Sequence, residues 1–321
     1  MKTVKRILLF LILIAGSYGG YLGYKYYVRC TYLPVRHPFI SNNGFRYLAK
    51  HHFDQSERLR ISLMGQSFDP ADVKDGDIIF IKNWPWYLDR FFKNIHPRIN
   101  ARYVLLSHGG DYAIPGAYEK YLADDKLIAW AGCNVEKPTL AKMIPLPIGQ
   151  FGILQKRLPV NCREIIGKIL LDLRLGRIEK TNFLYNNLAI NTNHAERSKA
   201  VQQFKDQPFC FNATCKPCEV YLREMATFKF VLSPHGAGYD CYRTWEALTL
   251  GCIPVVKKSC LDILYTGLPV VIVDDWADVT EEFLKAKYIE MSQTTYQRER
   301  LSLDYWVDKI KQRVKELSAR K

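Results

Sequence analysis

Residues 228–256 constrain the fold more than any other part of the sequence. They read FKFVLSPHGAGYDCYRTWEALTLGCIPVV. An apolar run is followed by a loop with two glycines, a helical stretch, a glycine break and a second apolar run. Short apolar runs without polar alternation are typical of strands that are buried on both faces. The segment therefore predicts a strand–helix–strand unit with parallel strands.

The same alternation of apolar runs and helical stretches extends over most of the chain. The predicted strands are Ile78–Ile81, Tyr103–Leu106, Leu127–Ala131, Phe183–Ile190, Phe228–Leu232, Ile253–Val256 and Pro269–Val273. The predicted helices are residues 162–177, His194–Phe204, Cys218–Ala226, Tyr242–Leu250, Val279–Lys287 and Leu303–Leu317. The break at Ile144–Gly149 is rich in proline and glycine and separates two α/β halves. We predict two doubly wound domains.

The loop Ser233–Gly238 has the composition of a phosphate-binding loop. Ligands of doubly wound sheets bind outside the carboxyl ends of strands, and this loop follows a predicted strand. The N–H groups of Gly236 and Gly238 can approach a phosphate closely. Arg243 and Glu246 share a face of the next helix, where an arginine suits a diphosphate and a carboxylate suits ribose hydroxyls. An ordinary turn followed by a surface Arg–Glu pair is the alternative.

Three catalytic motifs are absent from the sequence. The loop does not match G-x-x-x-x-G-K-[ST], which disfavours a P-loop kinase or ATPase. A G-x-G-x-x-G motif does not follow the first strand, which disfavours a dinucleotide oxidoreductase. G-x-S-x-G is missing as well, which disfavours an α/β-hydrolase.

The chain is basic, with 46 Lys and Arg against 32 Asp and Glu and a net charge of +14. Such a charge favours anionic partners such as nucleic acid, anionic lipid or phosphorylated substrates. The basic residues are spread along the chain, without a run of five, a zinc-finger spacing or a ribonucleoprotein-type motif. We therefore expect no nucleic-acid partner. Two explanations of the positive charge stay open, a solvated basic surface and a phosphate-handling role.

An uncharged stretch, Ile7–Tyr24, follows three basic residues. Its 18 residues are just long enough for a helix to cross ~30 Å of hydrocarbon. We predict an uncleaved membrane anchor. A cleaved signal peptide is the first alternative, because the apolar part is short and residues 15–17 are small, and a buried soluble helix is the second. Gly19 and Gly23 have a spacing that can pair helices. The favoured interpretation is that small residues are only tolerated there, and a homodimer stays open as an assembly.

Nine cysteines include the cluster Cys210, Cys215 and Cys218. Zinc would need a second pair of ligands beside this cluster, and a disulfide would need an oxidising compartment. Reduced core thiols are the third interpretation. The N-glycosylation sequon at residues 212–214 adjoins the cluster and would be used only in a host with eukaryotic-type glycosylation.

Residues 228–276 resemble the C-terminal region of exostosin-like glycosyltransferases, family 47 and its relatives. The matching text is FVLSPHGAGYDCYRTWEALTLGCIPVV, followed by LYTGLPVVIVDDW. The upstream text LYNNLAINTNHAER is similar to the first strand and turn of the same domain. The ribitol xylosyltransferase-type branch is the most similar one. The first half of the chain resembles the family only in its alternation of strands and helices.

The resemblance implies a GT-B fold, with two Rossmann-like domains that face each other across a cleft. We expect a signal-anchor segment at 1–28, an acceptor-side domain at 29–146, and a nucleotide-sugar-binding domain at 147–296. A basic helix at 297–321 would cross back to the first domain. Such enzymes are commonly single-pass type II membrane proteins of the Golgi lumen, so this location is expected if the source is eukaryotic.

The resemblance also implies roles for individual residues. Arg243 and Arg197 would contact the diphosphate, and Glu246 would contact the ribose. The other expected nucleotide-sugar-binding residues are Asn191, Ser233, His235, Gly236 and Gly238. The sequence lacks an Asp-x-Asp on a plausible cleft loop. We therefore expect no metal and no cofactor beyond a UDP- or GDP-linked co-substrate, because basic side chains can stabilise a departing diphosphate.

An inverting transfer needs a general base for the acceptor hydroxyl. His108 and Asp111 end a strand of the first half, so both are candidates, and each also has a purely structural interpretation. The function we predict is transfer of a sugar from a nucleotide-sugar to a glycan or glycoprotein. The alternative is a catalytically silent homologue that binds nucleotide-sugar or glycan and scaffolds a partner transferase.

Overall fold

The computed structural model describes residues 39–53, 69–150 and 162–319. Within these ranges, ten strands form two five-stranded sheets, and all neighbouring strands in both sheets are parallel. The α/β fold with two parallel sheets is confirmed. The predicted anchor at Ile7–Tyr24 lies outside the described residues. None of the helices in the described ranges is long and apolar enough to cross a membrane.

The first sheet follows chain order from one edge to the other. Its strands are β1 (His51–Phe53), β2 (Asp77–Lys82), β3 (Tyr103–His108), β4 (Leu127–Gly132) and β5 (Met143–Pro145). Every residue of β3 and β4 is buried, as expected for central strands of a parallel sheet that is covered on both faces.

The second sheet has the order β10-β9-β8-β6-β7. Its strands are β6 (Asn182–Asn186), β7 (Cys210–Asn212), β8 (Phe228–Leu232), β9 (Ile253–Lys257) and β10 (Val271–Val273). The chain reverses its direction of travel across the sheet between β6 and β8. This is a topological switch point, where the loops after two neighbouring strands diverge and leave room for a ligand.

Eight α-helices lie in the described ranges. They are α1 (Asn42–Arg46), α2 (Pro85–Arg90), α3 (Cys162–Arg174), α4 (His194–Phe204), α5 (Cys218–Met225), α6 (Tyr242–Thr249), α7 (Glu281–Ser292) and α8 (Leu303–Ser318). A π-helical turn spans Phe91–Ile95. The 3-10 turns are Pro70–Asp72, His96–Arg98, Gly116–Ala123, Ile190–Thr192, Asp262–Leu264, Trp276–Asp278 and Arg298–Leu301.

The two sheets lie in one compact unit, Pro38–Lys321. Trp245 and Leu264 of the second half belong to the same core cluster as the central strands of the first sheet. Helix α8 returns to that cluster as well, where it buries Leu303, Trp306 and Ile310. The predicted division at 146/147 falls just after β5 and stays a prediction. The two halves share one apolar core, and the burial of this core stabilises them as one unit.

Candidate functional site

Arg197 lies at the switch point of the second sheet. It is the fourth residue of α4, a helix capped by Asn193, whose side chain accepts a hydrogen bond from the Glu196 N–H at 3.2 Å. The Arg197 Nε donates to the carbonyl of His235 after β8 at 3.1 Å, and Nη1 donates to the carbonyl of Ala189 after β6 at 3.0 Å. The guanidinium therefore bridges the two loops that diverge at this point.

Burial lowers the pKa of the Arg197 guanidinium, and the positive charge of Arg243 lowers this pKa further. Arg243 is on α6, where one of its terminal nitrogens donates to the carbonyl of Asn187, just after β6. Its Nε is buried without a hydrogen-bond partner. In the described part of the chain, the hydrogen bonds of both guanidiniums go to carbonyls and the Cys241 sulfur, and none reaches a carboxylate.

Glu246 is on the same helix as Arg243 and is buried. Its Oε2 accepts a hydrogen bond from the Tyr221 hydroxyl at 3.1 Å. Burial raises the pKa of the Tyr221 hydroxyl, and the negative charge of Glu246 raises it further, so Tyr221 stays a donor to the carboxylate. Tyr221 was not among the predicted site residues, because nothing in the sequence indicates that α5 packs beside α6.

The loop after β8 is shaped by side chains that approach its glycines. A Cβ atom on Gly236 would lie 2.9 Å from the Arg197 Nη2. One on Gly238 would lie 2.7 Å from the Asn134 Nδ2, which comes from the loop after β4. The Gly236 N–H donates to the Gly238 carbonyl at 3.1 Å, so it does not point outward as the sequence analysis expected. The absence of a side chain at Gly236 and Gly238 leaves the space that the Arg197 and Asn134 side chains occupy.

The other predicted loop residues are less directly involved. The Ser233 hydroxyl is buried and hydrogen-bonded to the Thr244 hydroxyl at 2.8 Å. His235 is half-buried, and burial lowers the pKa of its imidazole. Asn191 is exposed in the 3-10 turn after β6. The structure thus brings Arg197, His235 and Gly236 together. The Ser233 side chain is hydrogen-bonded in the interior of the protein, and Asn191 lies on the surface.

Asp240 connects the loop after β8 to the first sheet. Its buried carboxylate accepts hydrogen bonds from the Ile148 N–H at 2.7 Å and from the Trp245 indole N–H at 2.8 Å. The Asp240 N–H in turn donates to the Asn134 side chain at 2.9 Å. Burial raises the pKa of the Asp240 carboxyl to about 6, although its hydrogen bonds act to lower that pKa. Asp240 thereby ties the start of α6 to the first sheet.

His108 is fully buried at the end of β3. Its Nε2 lies 3.0 Å from the Pro147 carbonyl, and its Nδ1 lies 3.3 Å from the Asn42 side chain. Burial lowers the pKa of the His108 imidazole to about 4, so the ring is neutral and donates to Pro147. An acceptor hydroxyl cannot reach either nitrogen, so this geometry favours a structural role for His108 over that of a base.

Asp111 has a different environment, three residues after β3. It is half-buried, and burial raises the pKa of its carboxyl. The carboxylate is close enough to Tyr242 to raise the pKa of that hydroxyl. Tyr242 precedes Arg243 on α6, so Asp111 is near the helix that carries the arginine. Of the two candidate bases, Asp111 is the accessible one.

The cysteines and possible metal ligands form no cluster in the described ranges. Cys210 is buried, Cys215 is exposed and Cys218 is half-buried. Groups of three or more His, Cys, Asp or Glu side chains that could hold a metal ion do not occur among the described residues.

The second half of the chain matches a known family model. Residues 184–319 match the RXYLT1 C-terminal domain. The match confirms the resemblance to the ribitol xylosyltransferase branch of the exostosin-like enzymes, and it supports a glycosyltransferase. The RXYLT1-type domain contains Arg197, Arg243 and Glu246, while Asp111 lies outside it. No curated protein matches the sequence significantly.

Several solved structures align with most of the chain at low sequence identity. A glycosyltransferase from Rickettsia africae covers 76% of this chain and 78% of its own at 10% identity, with a TM-score of 0.42. The UDP-GlcNAc 2-epimerase of Methanocaldococcus jannaschii covers 73% and 77% at 9% identity, with a TM-score of 0.34. AviGT4, a glycosyltransferase involved in avilamycin A biosynthesis, covers 74% and 84% at 10% identity, with a TM-score of 0.34.

Proposed function

We propose that the protein is a glycosyltransferase that binds the diphosphate of a nucleotide-sugar between Arg197 and Arg243. The observation that carries this proposal is the convergence of two guanidiniums at the switch point, neither bonded to a carboxylate in the described ranges. Arg197 is buried and Arg243 is half-buried. Neighbouring charges of one sign that are shielded from water destabilise each other unless an anion compensates them. A diphosphate fits, because arginine donates paired hydrogen bonds to phosphate oxygens.

Glu246 supports a nucleoside as the group on one side of the diphosphate. Residues three apart on a helix have Cβ atoms ~5–6 Å from each other. This spacing supports a contact between the Glu246 carboxylate and a ligand that Arg243 holds. The Tyr221 hydroxyl fixes this carboxylate. A fixed carboxylate accepts hydrogen bonds from the hydroxyls of a ribose, so a UDP- or GDP-linked sugar is the donor we propose.

Asp111 is the general base of the proposed reaction. Its carboxylate takes the proton of the acceptor hydroxyl while that oxygen attacks the anomeric carbon. The bond from this carbon to the diphosphate oxygen breaks, and the nucleoside diphosphate leaves with the electron pair. Attack opposite the leaving group inverts the anomeric centre. The two arginines stabilise the negative charge on the leaving group, so the proposed reaction needs no metal.

We also propose that the enzyme is anchored by Ile7–Tyr24 in type II orientation and acts on a glycan or glycoprotein. The uncharged length of this segment supports a membrane helix. In a eukaryotic source, this orientation would place the catalytic residues in the Golgi lumen.

The donor site can be tested by isothermal titration of the full-length protein with UDP and GDP. Arg243→Ala should weaken the binding of the preferred nucleotide by ~10-fold or more, since hydrogen bonds to charged groups contribute ~1.5–3 kcal/mol. It should lower turnover by ~10²–10³. Arg243→Lys should restore little, because an ammonium cannot reproduce the paired geometry. Glu246→Ala should mainly weaken binding.

Arg298→Ala is the matched control, because Arg298 is exposed and is not part of the switch point. It removes the same charge and should change neither binding nor turnover. Binding like that of the wild type in both Arg243→Ala and Glu246→Ala would refute the proposed donor site. Nucleotide binding without transfer to any acceptor would favour the scaffolding homologue.

A further inference from the structure

Lys180 and Cys252 come together at one edge of the second sheet. Lys180 lies two residues before β6, and Cys252 lies directly before β9. Strand β8 separates these two strands in the sheet, and all three are parallel. Both residues are therefore at the amino-terminal edge of the sheet. The proposed donor site is built on the loops after β6 and β8, at the opposite edge, so it does not include this pair.

The side chain of Lys180 crosses the start of β8 to reach the cysteine. Its amine donates hydrogen bonds to the Ala226 carbonyl at 2.9 Å and to the Phe228 carbonyl at 3.4 Å. The same nitrogen lies 3.0 Å from the Cys252 sulfur. A Cβ atom on Gly251 would lie 3.6 Å from the Lys180 Cε, so the aliphatic stem runs beside this glycine. These contacts hold the amine against the sulfur.

Cys252 is fully buried, and its thiol donates to the Met225 carbonyl at 3.3 Å. Burial raises the pKa of the thiol, while the charge of Lys180 and its hydrogen bond act to lower that pKa. Lys180 thus favours the thiolate, which is the form of cysteine that peroxides oxidise. In the described ranges, no hydrogen bond from the Lys180 amine reaches a carboxylate. Two nucleophiles, an amine and a thiol, therefore face each other inside the protein.

We propose that oxidation by hydrogen peroxide joins the Lys180 Nζ and the Cys252 Sγ through one oxygen atom, in a covalent N–O–S bridge. One peroxide oxidises the thiol to a sulfenic acid and is itself reduced to water. A second peroxide oxidises the amine to a hydroxylamine and is also reduced to water. The hydroxylamine oxygen then attacks the sulfenic sulfur. An O–S bond forms, and the sulfenic hydroxyl leaves with the hydroxylamine proton as the third water.

The observed separation favours a bridge that contains oxygen. An oxygen atom between nitrogen and sulfur leaves them close to their present distance of 3.0 Å. A direct S–N bond would require the two atoms to approach to the length of a single bond, away from the carbonyls that hold the amine. Oxidation of the sulfur alone to a sulfinic acid would add two oxygens, for which a fully buried position offers little room.

The bridge would connect two segments that are 72 residues apart along the chain. Helix α4, strand β8 and helix α6 lie between them. A covalent link over this length reduces the conformational freedom of the unfolded chain, so the bridged protein should unfold at a higher urea concentration. The link is reversible, because two molecules of a dithiol restore the amine and the thiol and release one water.

The bridge can be tested by treating the reduced full-length protein with hydrogen peroxide and analysing its tryptic peptides by mass spectrometry. The peptides that contain Lys180 and Cys252 should be joined, with a mass that exceeds their sum by one oxygen minus two hydrogens, ~14 Da. Trypsin should no longer cleave after Lys180. Dithiothreitol should separate the two peptides, and the urea midpoint of the oxidised protein should be above that of the reduced protein.

Lys180→Arg is the decisive variant, because it keeps the positive charge and a long side chain but replaces the amine by a guanidinium. It should abolish the joined peptides and leave the fold intact. Cys252→Ser should abolish them as well. Cys133→Ala is the matched control, since Cys133 is also buried and its sulfur contacts Asn83 and the Gly110 carbonyl. This variant should form the bridge like the wild type.

Three results would overturn the bridge. The first is the absence of joined peptides once peroxide has oxidised the exposed Cys215. The second is an equal yield of joined peptides in Lys180→Arg. The third is a joined mass that lies two hydrogens below the sum of the peptides, which would show a direct S–N bond. The bridge does not depend on the proposed function, because the pair lies away from the donor site.

Discussion

Asp240 provides a quantitative test of how the two halves are joined. The carboxylate is buried and accepts four hydrogen bonds, from the side chains of Trp245 and Tyr265 and from the N–H groups of Ile148 and Cys241. Burial is nevertheless the dominant effect and raises the pKa of this carboxyl from 3.8 to about 6. Folding therefore favours the protonated form of Asp240.

The consequence is a stability that falls as the pH rises. Below pH ~3 the carboxyl is protonated in both the folded and the unfolded protein. Between this pH and about 7, the Asp240 carboxyl ionises more readily in the unfolded protein than in the folded one, so the free energy of unfolding falls. The difference between 3.8 and about 6, at ~1.4 kcal/mol for each pH unit, amounts to about 3 kcal/mol. The loss should be nearly complete at pH 7.

The assay is urea unfolding of the full-length protein at several pH values between 3 and 7.5. The free energy of unfolding of the wild type should fall by about 3 kcal/mol relative to that of Asp240→Asn over this range. The absolute stability of Asp240→Asn would also differ from that of the wild type, because the Ile148 N–H would face an amide group instead of a carboxylate. The comparison therefore rests on the pH dependence and not on one pH value.

Asp274→Asn is the control, because the Asp274 side chain is 80% exposed. Its unfolding free energy should follow that of the wild type across the pH range. Parallel pH dependences for the wild type and Asp240→Asn would show that the buried carboxylate is fully compensated by its hydrogen bonds. Burial would then not raise the pKa of this carboxyl.

Other predictions concern the base, the anchor and the thiols. Asp111→Asn should lower transfer by ~10²–10⁴, and the wild-type rate should fall with acidity through a pKa above the ordinary one. Because burial penalises this carboxylate in the folded protein, the variant should also unfold less readily at neutral pH. The full-length chain should resist carbonate extraction from membranes, whereas a variant lacking residues 1–28 should be soluble. In an oxidising compartment, mass spectrometry should find Cys215 or Cys218 oxidised, while stoichiometric zinc would contradict this.

The sequence predicted the central strands well, because their signal is local. The runs Tyr103–Leu106 and Phe228–Leu232 are apolar and lie in the middle of the two sheets, at β3 and β8. Helix α4 was predicted with its observed bounds, His194–Phe204. In the structure the Asn193 side chain caps the start of this helix. Three-residue strands at the sheet edges, such as β1 and β7, were missed because they are too short to show a pattern.

The candidate site was predictable in part. Arg243 and Glu246 share a helical face, which follows from their spacing alone. The burial of His108 did not follow from the sequence, because it depends on Asn42 and Pro147, which are far away along the chain. A residue that ends a strand can point into the core or towards a ligand, and only tertiary contacts decide between these outcomes.

Gly238 makes the same point, and it leads to a last prediction. A Cβ atom there would lie within 2.9 Å of three atoms of the Asn134 amide. Asn134 has no room to move, because it is buried and its side chain holds both the Gly110 carbonyl and the Asp240 N–H. Gly238→Ala should therefore lower the free energy of unfolding by ~1–3 kcal/mol.

Gly167→Ala is the matched substitution. Gly167 lies in α3, and an added Cβ there meets no atom within 4 Å. Alanine favours a helix over glycine by ~0.5–1 kcal/mol, so this variant should be as stable as the wild type or more stable. Urea unfolding of both variants measures the difference. If Gly238→Ala proved as stable as Gly167→Ala, the loops after β4 and β8 would be able to shift and accommodate the added methyl group. The Asn134 contact would then not be what requires a glycine in this loop, and a role towards a bound phosphate would become the better explanation for Gly238.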